Sequence, residues 1–179
     1  EVSIPGSWNS LNPEFQGTNP SITTQYNNGV RAFHLDTRWK RLGSNGSYTY
    51  VLGTANGGNT SEVVSDGRVM TDSDNPTFLE SLTEITTNVK NDEYMVLICT
   101  FAQGSYNYTD SNNGTWIDVI STTCAGNTAV YDAKKLTSDT LVGDVLGKVI
   151  VIINTEGAIA SVPSDSKCLF VNIPMKLTS

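Results

Sequence analysis

Histidine, carboxylate and guanidinium stand at every second position of the run Phe33-His34-Leu35-Asp36-Thr37-Arg38. In an extended strand this alternation puts His34, Asp36 and Arg38 on one face and Phe33 and Leu35 on the other. Converging in a pocket, the three polar groups suit binding of a metal or a phosphate, or acid–base chemistry. A buried His–Asp pair serving only structure fits the same pattern, because ion-pair networks collect such groups too, so both readings stand here. The chain has one histidine. A reaction needing both a base and an acid would therefore rest on His34 alone, with water or a metal taking the other half-step. One histidine also argues against a zinc site of His and Cys ligands. The nucleophile elbow, phosphate-binding loop, dinucleotide fingerprint and zinc-protease motifs are absent from the sequence.

The elements that must position these groups read as strands near Val2 to Ile4, Val30 to Arg38, Tyr48 to Leu52, Tyr94 to Phe101, Lys148 to Asn154 and Leu169 to Ile173. Helices are expected at Ser21 to Asn28, at Pro76 to Lys90 and within Trp116 to Leu146, with Asn75-Pro76 as the N-cap and first position of the second. Phe78, Leu79, Leu82, Ile85 and Val89 form the stripe that this helix turns to a sheet. Tyr-Met-Val-Leu-Ile-Cys and Val-Ile-Val-Ile-Ile are apolar on both faces, as in parallel strands covered on both sides. Strand and helix alternate, so the class is α/β with a mainly parallel sheet. Gly53 to Asp74 and Gly104 to Thr115 read as long irregular loops that follow strands; in a β/α barrel those positions lie on the face where sites are built.

With 179 residues the chain suits one domain, and its formal charge of −7 argues against a nucleic-acid partner. No apolar run is long enough for a transmembrane helix. A surface poor in charge and rich in Asn, Ser, Thr and Gly is expected outside the cytoplasm, secreted or anchored at the cell surface, and Glu1, without a signal pattern, reads as the start of a mature or trimmed product. The sequons starting at Asn45, Asn59, Asn107 and Asn113 mark expected loops. Cys99, Cys124 and Cys168 lack metal or redox spacing and are expected to be buried thiols.

The segments Ser3-Ile4-Pro5-Gly6-Ser7-Trp8-Asn9-Ser10, Gln16, Ser21-Ile22-Thr23-Thr24-Gln25 and Gly29-Val30-Arg31-Ala32-Phe33-His34-Leu35-Asp36 carry a resemblance. Together the chain resembles the opening of the X domain of phosphatidylinositol-specific phospholipase C, of the form I-P-G-[ST]-H-[DN]-S, then Q-x-x-S-I-x-x-Q-L-x-x-G-[VI]-R-x-F-D-[LI]-R. The resemblance implies a TIM-type β/α barrel, and residues 1–179 as a single X-domain-like unit. A whole barrel takes about 250 residues, so the six expected strands are read as its amino-terminal part.

Departures from the family pattern decide the functional expectation. The family's general base, a histidine, is replaced by Trp8, and no histidine follows the third strand in Leu52-Gly53-Thr54-Ala55-Asn56-Gly57. An indole only donates through its N–H and cannot exchange a proton near neutral pH. Asn9 and Asp36 match the metal-dependent branch, whereas His34 stands in place of a glutamate, and Tyr94 to Phe101 lacks a further carboxylate. The implied metal set is Asn9, Asp36 and His34, for calcium or, given the nitrogen, a transition metal. The expected protein is a catalytically degenerate phospholipase C-like subunit that binds or scaffolds at the cell surface. Trp8, Asn9 and Arg38 would meet a phosphoinositide, phosphoester or glycan, and a surface protein complex is a further expected partner. The alternative is an active, metal-assisted phosphoric diester hydrolase with His34 and Asp36 as its catalytic pair.

Overall fold

The computed structural model describes residues 4–7, 10–11, 21–44, 47–54, 62–63, 69–71, 75–101, 114–155 and 162–173. Along the chain run β1 (Gly6–Ser7), α1 (Ile22–Asn27), β2 (Ala32–Ser44), β3 (Ser47–Thr54), β4 (Glu62–Val63) and β5 (Val69–Thr71). They are followed by α2 (Phe78–Asn88), β6 (Met95–Phe101), α3 (Trp116–Ala125), a 3-10 turn (Ala133–Lys135), α4 (Val142–Val145), β7 (Val149–Asn154) and β8 (Leu169–Val171).

β1, β2, β6, β7 and β8 are parallel neighbours in that order. Their order across the sheet follows the chain without reversal. Doubly wound sheets reverse at a switch point, whereas a singly wound sheet curls toward a barrel. The fold is therefore an arc of a TIM-type β/α barrel. β2 outruns its neighbours, and its far half pairs antiparallel with β3 from Thr37↔Thr54 to Ser44↔Ser47. On its other edge Trp39 and Lys40 pair with Met70 and Thr71 of β5.

Local chemistry explains the helix ends. Ser21 caps α1 by accepting from Thr24 N at 3.2 Å, and Gly29, at φ +94, lets the chain turn from α1 toward β2. Thr77 and Glu80 form a capping box on α2, and Thr115 and Asp118 form another on α3. Glu84 of α2 accepts from Thr23 N at 2.9 Å and Thr23 Oγ1 at 2.8 Å, binding α1 to α2.

The helices bury one face of the sheet. Phe33, Leu35, Leu97, Cys99, Phe101, Val149, Val151 and Ile153 lie under Ile22, Tyr26, Phe78, Leu82, Ile85, Trp116 and Ile120 in one hydrophobic core. Trp116 stacks on Phe101 with ring centroids 5.2 Å apart. This burial is the main source of stability for the arc.

Several sequence expectations are corrected. Among the described residues the first strand is Gly6–Ser7, where Pro5 O accepts from Arg31 N and Ala32 N and seats Gly6 beside Ala32; of the expected strand Val2 to Ile4, residues 2 and 3 lie outside the described residues. The cap of α2 is Thr77, not Asn75, since the threonine and Glu80 satisfy two otherwise unpaired N–H groups. Leu79 is 59% exposed and leaves the expected stripe, 100° round the helix from Phe78. β4 and β5 fall inside Gly53 to Asp74, where no strand was expected, because runs of two and three residues are too short to show periodicity. Residues 104–113 and the sequons at Asn45, Asn59, Asn107 and Asn113 lie outside the described residues. No helix among the described residues is long and apolar enough to cross a membrane.

Candidate functional site at the mouth of the arc

With Phe33 and Leu35 committed to the helices, the alternation of β2 aims His34, Asp36 and Arg38 at the concave face, as the spacing predicts. Parallel pairing aligns His34 with Ile98 and Asp36 with Thr100, so β6 presents Val96, Ile98 and Thr100 to the same face. β7 adds Ile150, Ile152 and Asn154. The face is apolar where the strands begin and polar where they end. In barrels the carboxyl ends of the strands carry the site.

A set of hydrogen bonds and one ion pair organises the polar end. His34 is 4% exposed, and its Nε2 lies 2.9 Å from Thr100 Oγ1, itself buried. His34 N donates to Ser10 Oγ at 2.9 Å, and His34 O accepts from Ser10 N at 2.8 Å. Ser10 is buried as well; its hydroxyl lies 2.7 Å from that of Ser7, and its carbonyl accepts from Gln25 Nε2 at 2.6 Å. The start of the chain is thus fastened to β2 beside the imidazole. Arg38 Nη2 meets Asp36 Oδ2 at 3.1 Å, each side chain 18% exposed, so that pair sits at the opening. At the end of β7 the Asn154 amide donates to Ile173 O at 2.9 Å and accepts from Ile173 N at 3.0 Å, extending the ladder beyond β8.

Burial sets the charge of the imidazole. Removal from water penalises the charged ring and lowers the His34 pKa from 6.5 to about 4. Near neutral pH the ring is uncharged, and its Nε2 is engaged with a hydroxyl that carries no charge.

At the opposite end of the sheet a second cluster is structural. Arg31 Nε pairs with Glu93 Oε2 at 2.7 Å, and the Arg31 guanidinium lies 3.9 Å from the centre of the Tyr26 ring. The Tyr26 hydroxyl donates to Glu93, and burial, then this bond, push its pKa up to about 12. These groups tie α1, β2 and the start of β6 together.

Of the residues singled out from sequence, the fold brings His34, Asp36 and Arg38 to one face. Trp8 and Asn9 lie outside the described residues. Ser10 and Thr100 were missed, although a polar residue ending the apolar Met95–Phe101 strand is a readable sign of a barrel mouth. Calcium takes six to eight oxygens. Here the described donors are an imidazole against a hydroxyl and a carboxylate against a guanidinium, and among the described residues no three His, Cys, Asp or Glu side chains are grouped to hold a metal ion. The described donors do not fit calcium.

No protein-family model matches the sequence, and no curated protein does. Among solved structures, the chain is similar to the calcium-dependent phosphoinositol-specific phospholipase C of the Gram-negative bacterium Pseudomonas sp. in its apo form, myoinositol complex. The TM-score is 0.53 and the identity 15%, over 86% of this chain and 57% of that one. A second crystal form of the same enzyme gives 0.51 and 14%, over 85% and 56%. The chain thus spans a little over half the length of the structures it matches. It has the fold of a phospholipase C-like phosphodiesterase, drawn from the arc that the strand order describes.

Proposed function

We propose that this chain is a catalytically degenerate phospholipase C-like unit that binds a ligand or partner at the mouth of the arc. The carrying observation is the His34–Thr100 pair: the one histidine of the sequence is buried, uncharged near neutral pH and hydrogen-bonded to a neutral hydroxyl. General acid–base catalysis needs a group that exchanges protons near the working pH and reaches the reacting atoms. A ring with its pKa near 4 under the surface meets neither need.

The polar groups at the opening favour a hydroxyl- or phosphate-bearing ligand. The Asp36–Arg38 pair offers one acceptor and a planar array of donors to an inositol, glycan or phosphoester, with Trp8 and Asn9 as further candidate contacts. The Pseudomonas enzyme was crystallised as a myoinositol complex, which favours the first of these. In this reading residues 1–179 form one X-domain-like unit, exported to the cell surface or beyond, where a larger protein complex is its second partner. The rival reading, a metal-assisted phosphoric diester hydrolase using Asn9, His34 and Asp36, draws support from Asp36 being accessible at the mouth.

The test is turnover of phosphatidylinositol and glycerophosphoinositol by the full-length protein, with calcium, manganese or chelator, beside the His34→Ala variant. The binding reading expects no turnover under any condition, and myo-inositol affinity weakened about tenfold by Arg38→Ala, the loss of roughly 1.4 kcal/mol of charge-assisted contact. Turnover that vanishes in His34→Ala would overturn it in favour of the hydrolase.

A further inference from the structure

Beside His34 the sheet has an irregular edge. β1 pairs with β2 only through Gly6↔Ala32 and Ser7↔Phe33, so the ladder stops one residue short of His34. Ser10 takes the next place. Its N–H donates to His34 O at 2.8 Å, and its hydroxyl accepts from His34 N at 2.9 Å, where a continuing strand would have offered a carbonyl. The same hydroxyl donates to Ser7 O at 3.1 Å, and the Ser10 carbonyl accepts from Gln25 Nε2 of α1 at 2.6 Å. Each polar group of this fully buried serine is therefore in use. Residues on either side hold the segment down as well. A Cβ on Gly6 would meet the Ala32 Cβ at 3.3 Å, so the glycine lets the chain lie close against β2, and Leu11 is buried in the hydrophobic core.

We propose, on the reading that the mouth is a binding site, that Ser10 is its positioning residue. Clamped between His34 and Gln25, it holds the start of the chain against β2 so that the imidazole is covered, and a ligand meets Asp36 and Arg38 without reaching His34.

Backbone geometry makes this one side chain decisive. A ladder bond between two main chains survives a change of side chain, whereas the bond from His34 N ends on a hydroxyl and disappears with it. Ser10→Ala takes that acceptor away from a buried N–H, and water drawn to the edge in its place enters beside the ring. Gln25 acts one step back, since its amide ties the Ser10 carbonyl to α1. Asp36 and Arg38 follow on the same face of β2 and are partly exposed, whereas His34 is buried, so the cover ends between His34 and the ion pair.

The experiment is carbethoxylation of the chain's one histidine by diethyl pyrocarbonate at pH 7, followed at the His34 peptide by mass spectrometry, in the full-length protein without ligand. Ser10→Ala and, separately, Gln25→Ala are expected to speed labelling about tenfold, the change in local opening that follows loss of one buried hydrogen bond. Val149→Ala is the control, because it opens a cavity on the helix face at the start of β7, away from the mouth. Labelling in that variant is expected to stay within about twofold of the wild type. Unchanged labelling in both clamp variants would overturn the proposal. So would an equal rise in Val149→Ala, since Ser10 would then contribute only to general stability. Gln25 is partly exposed, so its variant gives the answer even where Ser10→Ala does not fold. Failure of the wild type to bind myo-inositol would count against the binding reading alone, because the labelling is read without ligand.

Discussion

The two faces of the parallel strands β1, β2, β6, β7 and β8 are built from alternating residues of the same strands, yet they behave as different materials. On the helix side Phe33, Leu35, Leu97, Val149, Val151 and Ile153 are 1% exposed or less and pack against large side chains from three helices. On the concave side Ala32, Asp36, Val96, Ile98, Ile150 and Ile152 are only partly covered, and the polar groups gather at the strand ends. One face holds the arc together, whereas the other presents a gradient from apolar floor to polar mouth. Because a one-residue slip of register would exchange the faces, the period of two carries both stability and site.

The comparison breaks most visibly at Trp116, which is fully buried against Phe101. Trp116→Ala is expected to lower stability by about 3–5 kcal/mol, read from the midpoint of urea unfolding. An equally deep cut on the concave side is expected to do less. Ile152→Ala should cost about 1–2 kcal/mol in this chain, because part of that side chain is already in water. Equal costs would mean that the concave face is covered as fully as the helix face.

The polar mouth is sharpened by pH. The folded-state pKa of His34 lies below its unfolded value, so the unfolded chain binds the proton more readily. Stability from this group is complete above about pH 6.5 and is lost as pH falls toward about 4, a total on the order of 3 kcal/mol. Glu80 and Glu93, whose pKa values are lowered by hydrogen bonds, also lose stability in acid. The difference between the wild type and His34→Asn isolates the histidine, and unfolding free energies across that range measure it. The smallest effect concerns metal: on the binding reading, calcium or chelator leaves the melting temperature unchanged, whereas a calcium-dependent rise would favour the metal-assisted hydrolase.

Much of this organisation was legible in the sequence. The alternation at Phe33 to Arg38 displayed both faces of β2 at once, and the continuous apolar runs at Met95 and Val149 announced parallel strands enclosed between layers. What stayed hidden depended on neighbours distant along the chain. Thr100 looked like the end of an apolar run until pairing with β2 brought it within reach of His34, 66 residues earlier. The state of His34 was equally hidden, because an imidazole beside an aspartate in sequence suggests a charged pair, whereas the fold turns Asp36 to Arg38 and His34 to a hydroxyl. β4 and β5 escaped because so few residues carry no pattern of their own and are held by the overlong β2.

The central claim is that the imidazole at the mouth is a fixed, uncharged part of the structure and not a proton shuttle. Its most direct test is an NMR titration of the His34 ring nitrogens in the folded protein from pH 8 to pH 4. The account predicts a single neutral tautomer across the neutral range, with protonation only near pH 4. A ring that titrates between pH 6 and 7 while the fold is intact would contradict it and return His34 to the role of a working acid and base.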